Sequence, residues 1–409
     1  MRRIFVVLIL WFLFDLFAFD AVKTASIGLP DVWINSIHVA YWLIDIVLLG
    51  IIFYMVAKGK FAKGPNKKMN WLMALVMLSI IPKLFISLFL IAEDIFRVIY
   101  SFIDNSERDS FLITRNILWS RFVLLLTLIP VIGIIYGVWK GKYAYKVQKI
   151  KLSFDNLPDA FNGFKITQLS DIHSGSFDNK EAVERGIQLA NEQKSDVIFF
   201  TGDLVNNRAD EMNEWISTFA KLSAPMGKFS ILGNHDYGDY IPWESAEAKA
   251  NNLQRLKEVH REIGFKLLLN ENVKLEKNGQ SISLIGVENW GKRGFVKHGD
   301  LNKALEGTSN DEFKILLSHD PSHWQAQVLE HKSNIQLTLS GHTHGMQFGF
   351  ELFGFKWSPI KYIYRQWAGA YQQNGKYIYV NRGFGFLGFP GRVGIMPEIT
   401  VIELVKGKF

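Results

Sequence analysis

Residues 335–345 read "IQLTLSGHTHG". Apolar and polar side chains alternate up to Ser340, which is the period of an extended strand. Glycines then flank two imidazoles, His342 and His344. Alternate residues of a strand point to opposite sides of a sheet, but a turn bounded by glycines lets both rings swing toward one spot. The chain has only ten histidines in 409 residues, so a pair on one turn directs attention to whatever else converges there.

Four further runs share the design of an apolar strand followed at once by nitrogen or oxygen donors. "FKITQLSDIHSG" ends in Asp171 and His173, "DVIFFTGDLVNN" in Asp203, "KFSILGNHDYG" in Asn234, His235 and Asp236, and "FKILLSHDPSH" in His319. Between them lie amphipathic segments at 179–193, 211–222 and 245–263, the last with Gly264 as its stop. Strands alternating with helices predict a layered α/β domain, and in such sheets ligands bind at the carboxyl ends of the strands. A lone histidine after a strand means little, and a single Gly-Asp is ordinary turn chemistry. Five such endings in one chain point to a metal site of carboxylate, imidazole and amide donors. The chain has no cysteine, which excludes disulfides and thiolate-bound metal. The donor set suits Mn²⁺, Fe or Zn²⁺, with Mn²⁺ expected first.

In order, the pieces are D-x-H at 171–173, G-D at 202–203, G-N-H-D at 233–236, His319, and G-H-T-H at 341–344. This order resembles the signature of the calcineurin-like metallophosphoesterases, from about residue 150 onward. The resemblance implies an αββα sandwich and a site for two divalent metal ions. It assigns Asp171, His173 and His344 to one ion, Asn234, His319 and His342 to the other, and Asp203 to both. It further implies His235 as the catalytic histidine, with Asp236 as the acid that orients its ring; an Asp that merely caps a turn is the alternative. The stretch "VNRGFGFLGFPGRVGIMPEITVIEL" resembles a membrane-associated bacterial branch, which includes enzymes acting on UDP-2,3-diacylglucosamine and similar lipid-linked pyrophosphates. Met346 stands where many of that branch carry a second glycine, a change that removes no ligand. Two cations about 3.5–4 Å apart activate a water and offset charge that builds on the phosphoryl oxygens.

The first 140 residues have another texture. Apolar stretches fall at Ile4–Phe19, Ile37–Ala57, Trp71–Ala92 and Ile117–Trp139, each near the roughly 20 residues that cross a bilayer. We therefore expect a four-span helical bundle over 1–140, a basic juxtamembrane linker over 141–152 and the phosphoesterase domain over 153–409. Arg2 and Arg3 precede the first span. Lys58, Lys60, Lys63, Lys67 and Lys68 follow the second, and Lys140, Lys142, Lys146 and Lys149 the fourth. The other loops carry Lys23, Arg97, Arg108 and Arg115 among acids. Positive charge marks the cytoplasmic side, so both termini and the catalytic domain are expected there, in a multi-pass inner-membrane protein. Residues 1–150 hold 17 basic and 9 acidic residues, the remainder 29 and 30. The basic excess is thus a collar suited to membrane lipids, and nucleic acid is not an expected partner. Asp15, Asp45, Lys83 and Arg121 lie within the spans, where interhelical pairing or a polar cleft would account for them.

The leading expectation is a membrane-anchored phosphohydrolase cleaving a phosphodiester or pyrophosphate bond in a phosphate ester or lipid-linked diphosphate. Two alternatives stand beside it. One is a phosphoesterase for soluble nucleotides or phosphoproteins with the membrane as tether; the other is a transporter or sensor with a regulatory metal-binding domain. Arg382 and Arg392 are candidate contacts to substrate phosphate, or pins for their glycine-rich loop. Trp290, Phe384, Phe386 and Phe389 read as an apolar lip or as core. His260 is expected in solvent on its helix, His323 in loop packing, and His298 and His331 in polar surroundings without a named partner.

Overall fold

The computed structural model describes residues 2–60, 67–103, 114–292, 294 and 296–407. Lys63 and Arg108, used above for orientation, lie outside them, as do the side chains of Arg2, Arg3 and Lys67. The chain divides into two compact units, one ending at Tyr136 and the other running from Gly137 onward.

The first unit is helical. Its helices are Arg2–Ala25, Asp31–Ala57, Lys67–Ile103, with Pro82 inside it, and Ile117–Leu126 continued by Leu128–Trp139. Among the described residues, three helical stretches are long and apolar enough to cross a membrane: Asp31–Ala57, Lys68–Ile103 and Ile117–Trp139. The four-span count is thus met at three by that measure; the first stretch forms a helix that carries Asp15 and Asp20. The charges inside the helices are paired. Lys83 Nζ lies 2.6 Å from Asp15 Oδ1 and also binds Asp45, whose Oδ1 accepts from Ser79 Oγ at 2.8 Å. Arg121 donates to the carbonyls of Ala25 and Ile27 at 3.0 and 2.8 Å. Such pairing removes most of the cost of a charge in hydrocarbon.

Among the described residues, the second unit is built from fourteen strands. In chain order they are β1 (Lys146–Phe154), β2 (Phe164–Leu169), β3 (Val197–Phe200), β4 (Lys228–Ser230), β5 (Lys266–Leu267), β6 (Glu271–Lys277) and β7 (Gln280–Gly286). Then come β8 (Lys314–Leu317), β9 (Leu337–Ser340), β10 (Phe350–Leu352), β11 (Phe355–Trp357), β12 (Gly369–Gln373), β13 (Lys376–Val380) and β14 (Glu398–Lys406). Two mixed six-stranded sheets result, ordered β1-β14-β2-β3-β4-β5 and β12-β13-β9-β8-β7-β6, with β10-β11 a separate hairpin. Part of the expected linker is β1, which pairs in parallel with β14 from Lys146↔Glu398 to Phe154↔Lys406. Its alternation of lysines with Val147, Ile150, Leu152 and Phe154 suits an edge strand.

The strand period sorts the core. Val197 and Phe199 of β3 join Ile166, Leu284, Ile315, Leu317, Leu339 and Ile402 between the two sheets. Ile198 and Phe200 turn the other way, onto Val183 and Ile187 of helix Lys180–Asn191 and Leu256 and Val259 of helix Ala246–Glu262. Ile285, Leu316 and Ile378 pack outward against Trp324 and Val328. Both helices start where the sequence reading placed them, with Asn179 and Ser245 as side-chain caps. The segment 211–222 instead breaks into a short turn, Ala209–Met212, and one helical turn, Ile216–Phe219. Of the two readings given above for Phe384 and Phe386, lip or core, the core holds.

Candidate metal centre

β2, β3 and β4 are neighbours in one sheet and run parallel, as do β8 and β9 in the other. Their carboxyl ends therefore deliver Asp171, His173, Asp203, Asn234, His319, His342 and His344 to one edge. Asp171, His173 and His344 form one group of possible metal ligands, and Asp203, His319 and His342 a second. In the first, His173 Nε2 is 3.1 Å from His344 Nε2, which is 3.2 Å from Asp171 Oδ1. In the second, Asn234 Oδ1 is 3.1 Å from His319 Nε2 and 2.8 Å from His342 Nδ1, and those two nitrogens are 3.3 Å apart. Asp203 Oδ2 faces both, 3.6 Å from His173 Nε2 and 3.1 Å from His319 Nε2.

These spacings fit a bound cation. Ligands held about 2.0–2.2 Å from one metal ion lie roughly 3.0–3.5 Å from one another. The electrostatics agree. Burial disfavours charge on Asp171 and Asp203, but the rings of His344 beside the first and His319 beside the second reverse that and hold both carboxyls below their usual range. Burial also opposes a charge on His319, yet Asp203 overrides it and pushes the ring up to about 10. Burial keeps His173 and His342 neutral, the ligating form of imidazole. Two carboxylates that force a proton onto one ring describe a site short of positive charge, which divalent ions supply.

Local backbone holds the donors in place. Asp203 Oδ1 accepts the His235 N–H at 2.8 Å, and Asp171 accepts the His342 N–H at 2.9 Å. A Cβ on Gly233 would lie 2.2 Å from Asp203 Oδ1, and one on Gly341 would lie 2.2 Å from Asp171 Oδ2; both glycines are there for that approach. Asp171, His173, Asp203, His342 and His344 all have φ between 49° and 70°. Non-glycine residues rarely adopt this left-handed conformation, and it gathers at functional sites. Met346 has φ 55° as well, so the absent glycine leaves strain there and costs no ligand.

His235 lies beside the donors, its ring 4.9 Å from that of His173 and 4.4 Å from that of Tyr240. Its Nδ1 is 2.8 Å from the Asn206 carbonyl. Asp236 does not orient that ring. Its carboxylate accepts backbone N–H groups of Gly233, Asp203, Leu204 and Val205 at 2.8–3.3 Å. It is the cap that holds two ligand loops together; burial first, then Asp203, raise it to about 7.

The two arginines are also placed otherwise than as substrate contacts. Arg392 is fully buried and donates to the carbonyls of Gly385, Arg382 and Gly383. Arg382 binds Glu398 at 2.5 Å and Glu351 at 2.6 Å. Arg392 thus pins its loop through the loop's own carbonyls and that of His344, and Arg382 ties the loop to β10 and β14. His260 is not in solvent: it is buried, 2.9 Å from Ser230 Oγ. His323 lies between Ser318 and Gln327, His298 stacks on Tyr237, and His331 meets Asn302. Three site residues escaped the sequence reading. Tyr364 Oη is 2.9 Å from His342 Nε2 and 3.3 Å from Asp320 Oδ2, and Tyr240 Oη accepts from Asn234 Nδ2 at 2.7 Å. Asp320 directly follows a ligand in sequence; the tyrosines had no such signal.

Comparison with known proteins agrees with this geometry. The family profile described as "Calcineurin-like phosphoesterase" matches residues 164–346, and one described as "Probable Calcineurin-like phosphoesterase, transmembrane domain" matches residues 1–142. A "Transmembrane protein with metallophosphoesterase domain" of Danio rerio is 29% identical over 69% of this chain, and the match spans 63% of that protein's length. "Uncharacterized metallophosphoesterase YkuE" of Bacillus subtilis is 33% identical over 61% of this chain and 81% of its own. An "Uncharacterized metallophosphoesterase" of Aquifex aeolicus is 28% identical over 68% of this chain and 98% of its own. Two donor groups at the carboxyl ends of strands from both sheets and a multi-pass helical membrane region thus accompany the sequence match, and the chain belongs to the calcineurin-like metallophosphoesterases as a membrane-anchored, metal-dependent phosphoesterase.

Proposed function

We propose that the chain hydrolyses a phosphodiester or pyrophosphate bond in a lipid-linked substrate at the cytoplasmic face of the membrane. Diacylated sugar nucleotides are the substrate class in view. The observation that carries the hydrolytic half is Asp203, one carboxylate oxygen facing both donor groups at 3.6 and 3.1 Å. Asp171, His173 and His344 would hold one divalent ion and Asn234, His319 and His342 the other, with Asp203 shared and Mn²⁺ the first candidate. When bound, the pair supplies Lewis-acid activation of water and neutralises charge on the phosphoryl oxygens. The chain's own residues supply the rest. The Asn206 carbonyl accepts from Nδ1–H of His235, which turns Nε2 toward the leaving oxygen. Burial favours the neutral ring, so Nε2 would first take a proton, as from the attacking water, before it passes one to that oxygen. Asp236, through four backbone N–H groups, keeps the loops of Asp203 and Asn234 in register.

The lipid-linked half rests on the helical membrane region and on Lys140, Lys146 and Lys149 near its end, which suit anionic headgroups. The side of the membrane rests on the distribution of Lys and Arg. The test is a metal-supplemented screen of full-length protein in detergent. Mn²⁺ should stimulate hydrolysis of bis(p-nitrophenyl) phosphate, and Asp203→Ala should abolish it. Nucleoside-diphosphate lipids should then be cleaved well ahead of free nucleotides. Activity that survives Asp203→Ala removes the mechanism, and equal rates on free nucleotides remove the lipid.

A further inference from the structure

In the unit from Gly137 onward, ten large apolar side chains are exposed among the described residues, and seven of them fall between Met346 and Ile363. They are Met346, Phe350, Leu352, Phe353, Phe355, Tyr362 and Ile363, with Phe353 fully in the open. Soluble surfaces seldom gather apolar groups in this way unless something covers them. The centre of the patch is the hairpin β10–β11. Phe350 stacks on Phe355 and Trp357, with ring centroids 6.0 and 5.7 Å apart, and Phe353 occupies the tip at φ 51°. An isolated two-stranded hairpin is marginal in water.

Both ends of this excursion are tied to the metal centre. It leaves from the turn of His344 and Gly345, and Ser358 Oγ bonds back to the Gly345 carbonyl at 2.8 Å. It returns at Tyr364, 2.9 Å from the ligand His342. Its base is also tied to the segment that leads out of the apolar helices. Gln347 and Gly349 exchange backbone bonds with Val393 at 2.8 and 2.9 Å, and the Arg392 N–H donates to the Gly137 carbonyl at 3.1 Å. Gly137 lies in the last turn of the helix that ends at Trp139, whose ring is exposed under Lys140 Nζ at 4.8 Å. Lys361 and Arg365 are exposed beside the patch, and Lys361 Nζ lies 5.1 Å from the Tyr362 ring centre.

We propose that residues 346–363 form a membrane-dipping clasp, whose Phe353 tip sinks into the headgroup–acyl boundary of the bilayer that holds the N-terminal helices. Aromatic and aliphatic side chains flanked by Lys and Arg are the composition of an interfacial anchor. Three residues a side, each rising about 3.3 Å, give a hairpin of roughly 10 Å, the depth to which interfacial segments settle. The bilayer is favoured over a second copy because the base of the hairpin is bonded to the segment that ends the last apolar helix. The clasp would fix the height of the metal centre above the headgroups. It stands apart from the substrate proposed above, since an enzyme for soluble phosphates could be clasped in the same way.

The absence of native cysteine makes the test direct. Full-length Phe353→Cys and, at the far edge of the second sheet, Glu276→Cys each take one environment-sensitive NBD label. The proteins are reconstituted in phosphatidylethanolamine/phosphatidylglycerol vesicles carrying nitroxides at shallow acyl carbons. The label at 353 should emit to the blue and be quenched by the nitroxides, and the label at 276 should do neither. Adding Leu352→Asp and Phe355→Asp to Phe353→Cys should abolish the quenching and leave hydrolysis of a soluble chromogenic diester unchanged. A label at 353 that behaves like the one at 276 overturns the proposal. So does a blue shift that no lipid nitroxide quenches and that fades on dilution of protein in the vesicles, which would mean a second copy covers the tip. Quenching that persists in the double-aspartate protein overturns it as well.

Discussion

Arg392→Met separates two uses of a buried guanidinium. Burial lowers its pKa to about 10, so it is charged at neutral pH, and it spends its donors on four carbonyls, the longest bond, at 3.4 Å, going to that of His344. Nε reaches Gly385 O at 2.9 Å, while Nη2 reaches Arg382 O at 2.8 Å, Gly385 O at 2.6 Å and Gly383 O at 3.1 Å. Methionine keeps much of the apolar stem and removes every donor. A hydrogen bond to a charged group is worth about 1.5–3 kcal/mol. The bonds share one group and are not additive, so the loss should be about 3–5 kcal/mol, most of it the cost of leaving buried carbonyls without a donor. At roughly 2–4 °C per kcal/mol for a unit of this size, the unfolding midpoint should fall by about 10 °C. The assay is thermal unfolding in detergent, paired with KM for a chromogenic diester measured well below the midpoint. Loss of stability with KM unchanged is the expected result. A midpoint within about 2 °C of the wild type, together with a large rise in KM, would return the guanidinium to the substrate and refute the reasoning.

The two donor groups should empty separately: elemental analysis of His342→Ala and of His344→Ala should each find about one metal ion per chain where the parent holds about two. Loss of both ions or of neither would contradict the division. His260, buried and held down to about 3, binds its proton in the unfolded chain near pH 6.5. Its contribution is therefore complete above about pH 6.5 and lost as pH falls toward 3. His260→Gln should flatten the decline of stability between pH 6 and 4 in urea melts; an unchanged slope would mean that the ring titrates alike in both states. In the membrane region, Lys83→Met leaves Asp15 and Asp45 facing each other and should cost about 3–5 kcal/mol. Converting both acids to Asn as well should restore most of the loss of monodisperse protein on size exclusion after heating. A stable single variant would show that the pairing does not hold these helices.

The donors were legible because each motif is local: a strand, a turn and a ligand within about ten residues, so that sequence order and spatial order coincide at a sheet edge. Partnership across the fold was not. Asp236 adjoins His235 in sequence, but its carboxylate turns toward the backbone of residues 203–205 and 233, a choice that depends on loops from two strands. Arg382 and Arg392 looked like phosphate contacts because their acceptors, Glu351, Glu398 and four carbonyls, come together only in the folded chain. His260 was within reach. It shares a helix face with Leu256, Val259 and Ile263, all buried, and the spacing of three and four residues marks that face. The pairing of β1 with β14 joins residues some 250 positions apart, and no local pattern announces it.

That pairing bears on how the protein is made. β14 lies between β1 and β2, so the first sheet keeps a gap until its last strand has been synthesised. At about 5–20 residues per second, the roughly 240 residues between β1 and β14 take some tens of seconds to emerge from the ribosome. During that interval β1 and β2 offer open edges beside a bilayer that has already received the helices. A nascent chain stalled before residue 398 would therefore remain a tethered, unclosed fragment and a substrate for quality control, whatever the supply of metal.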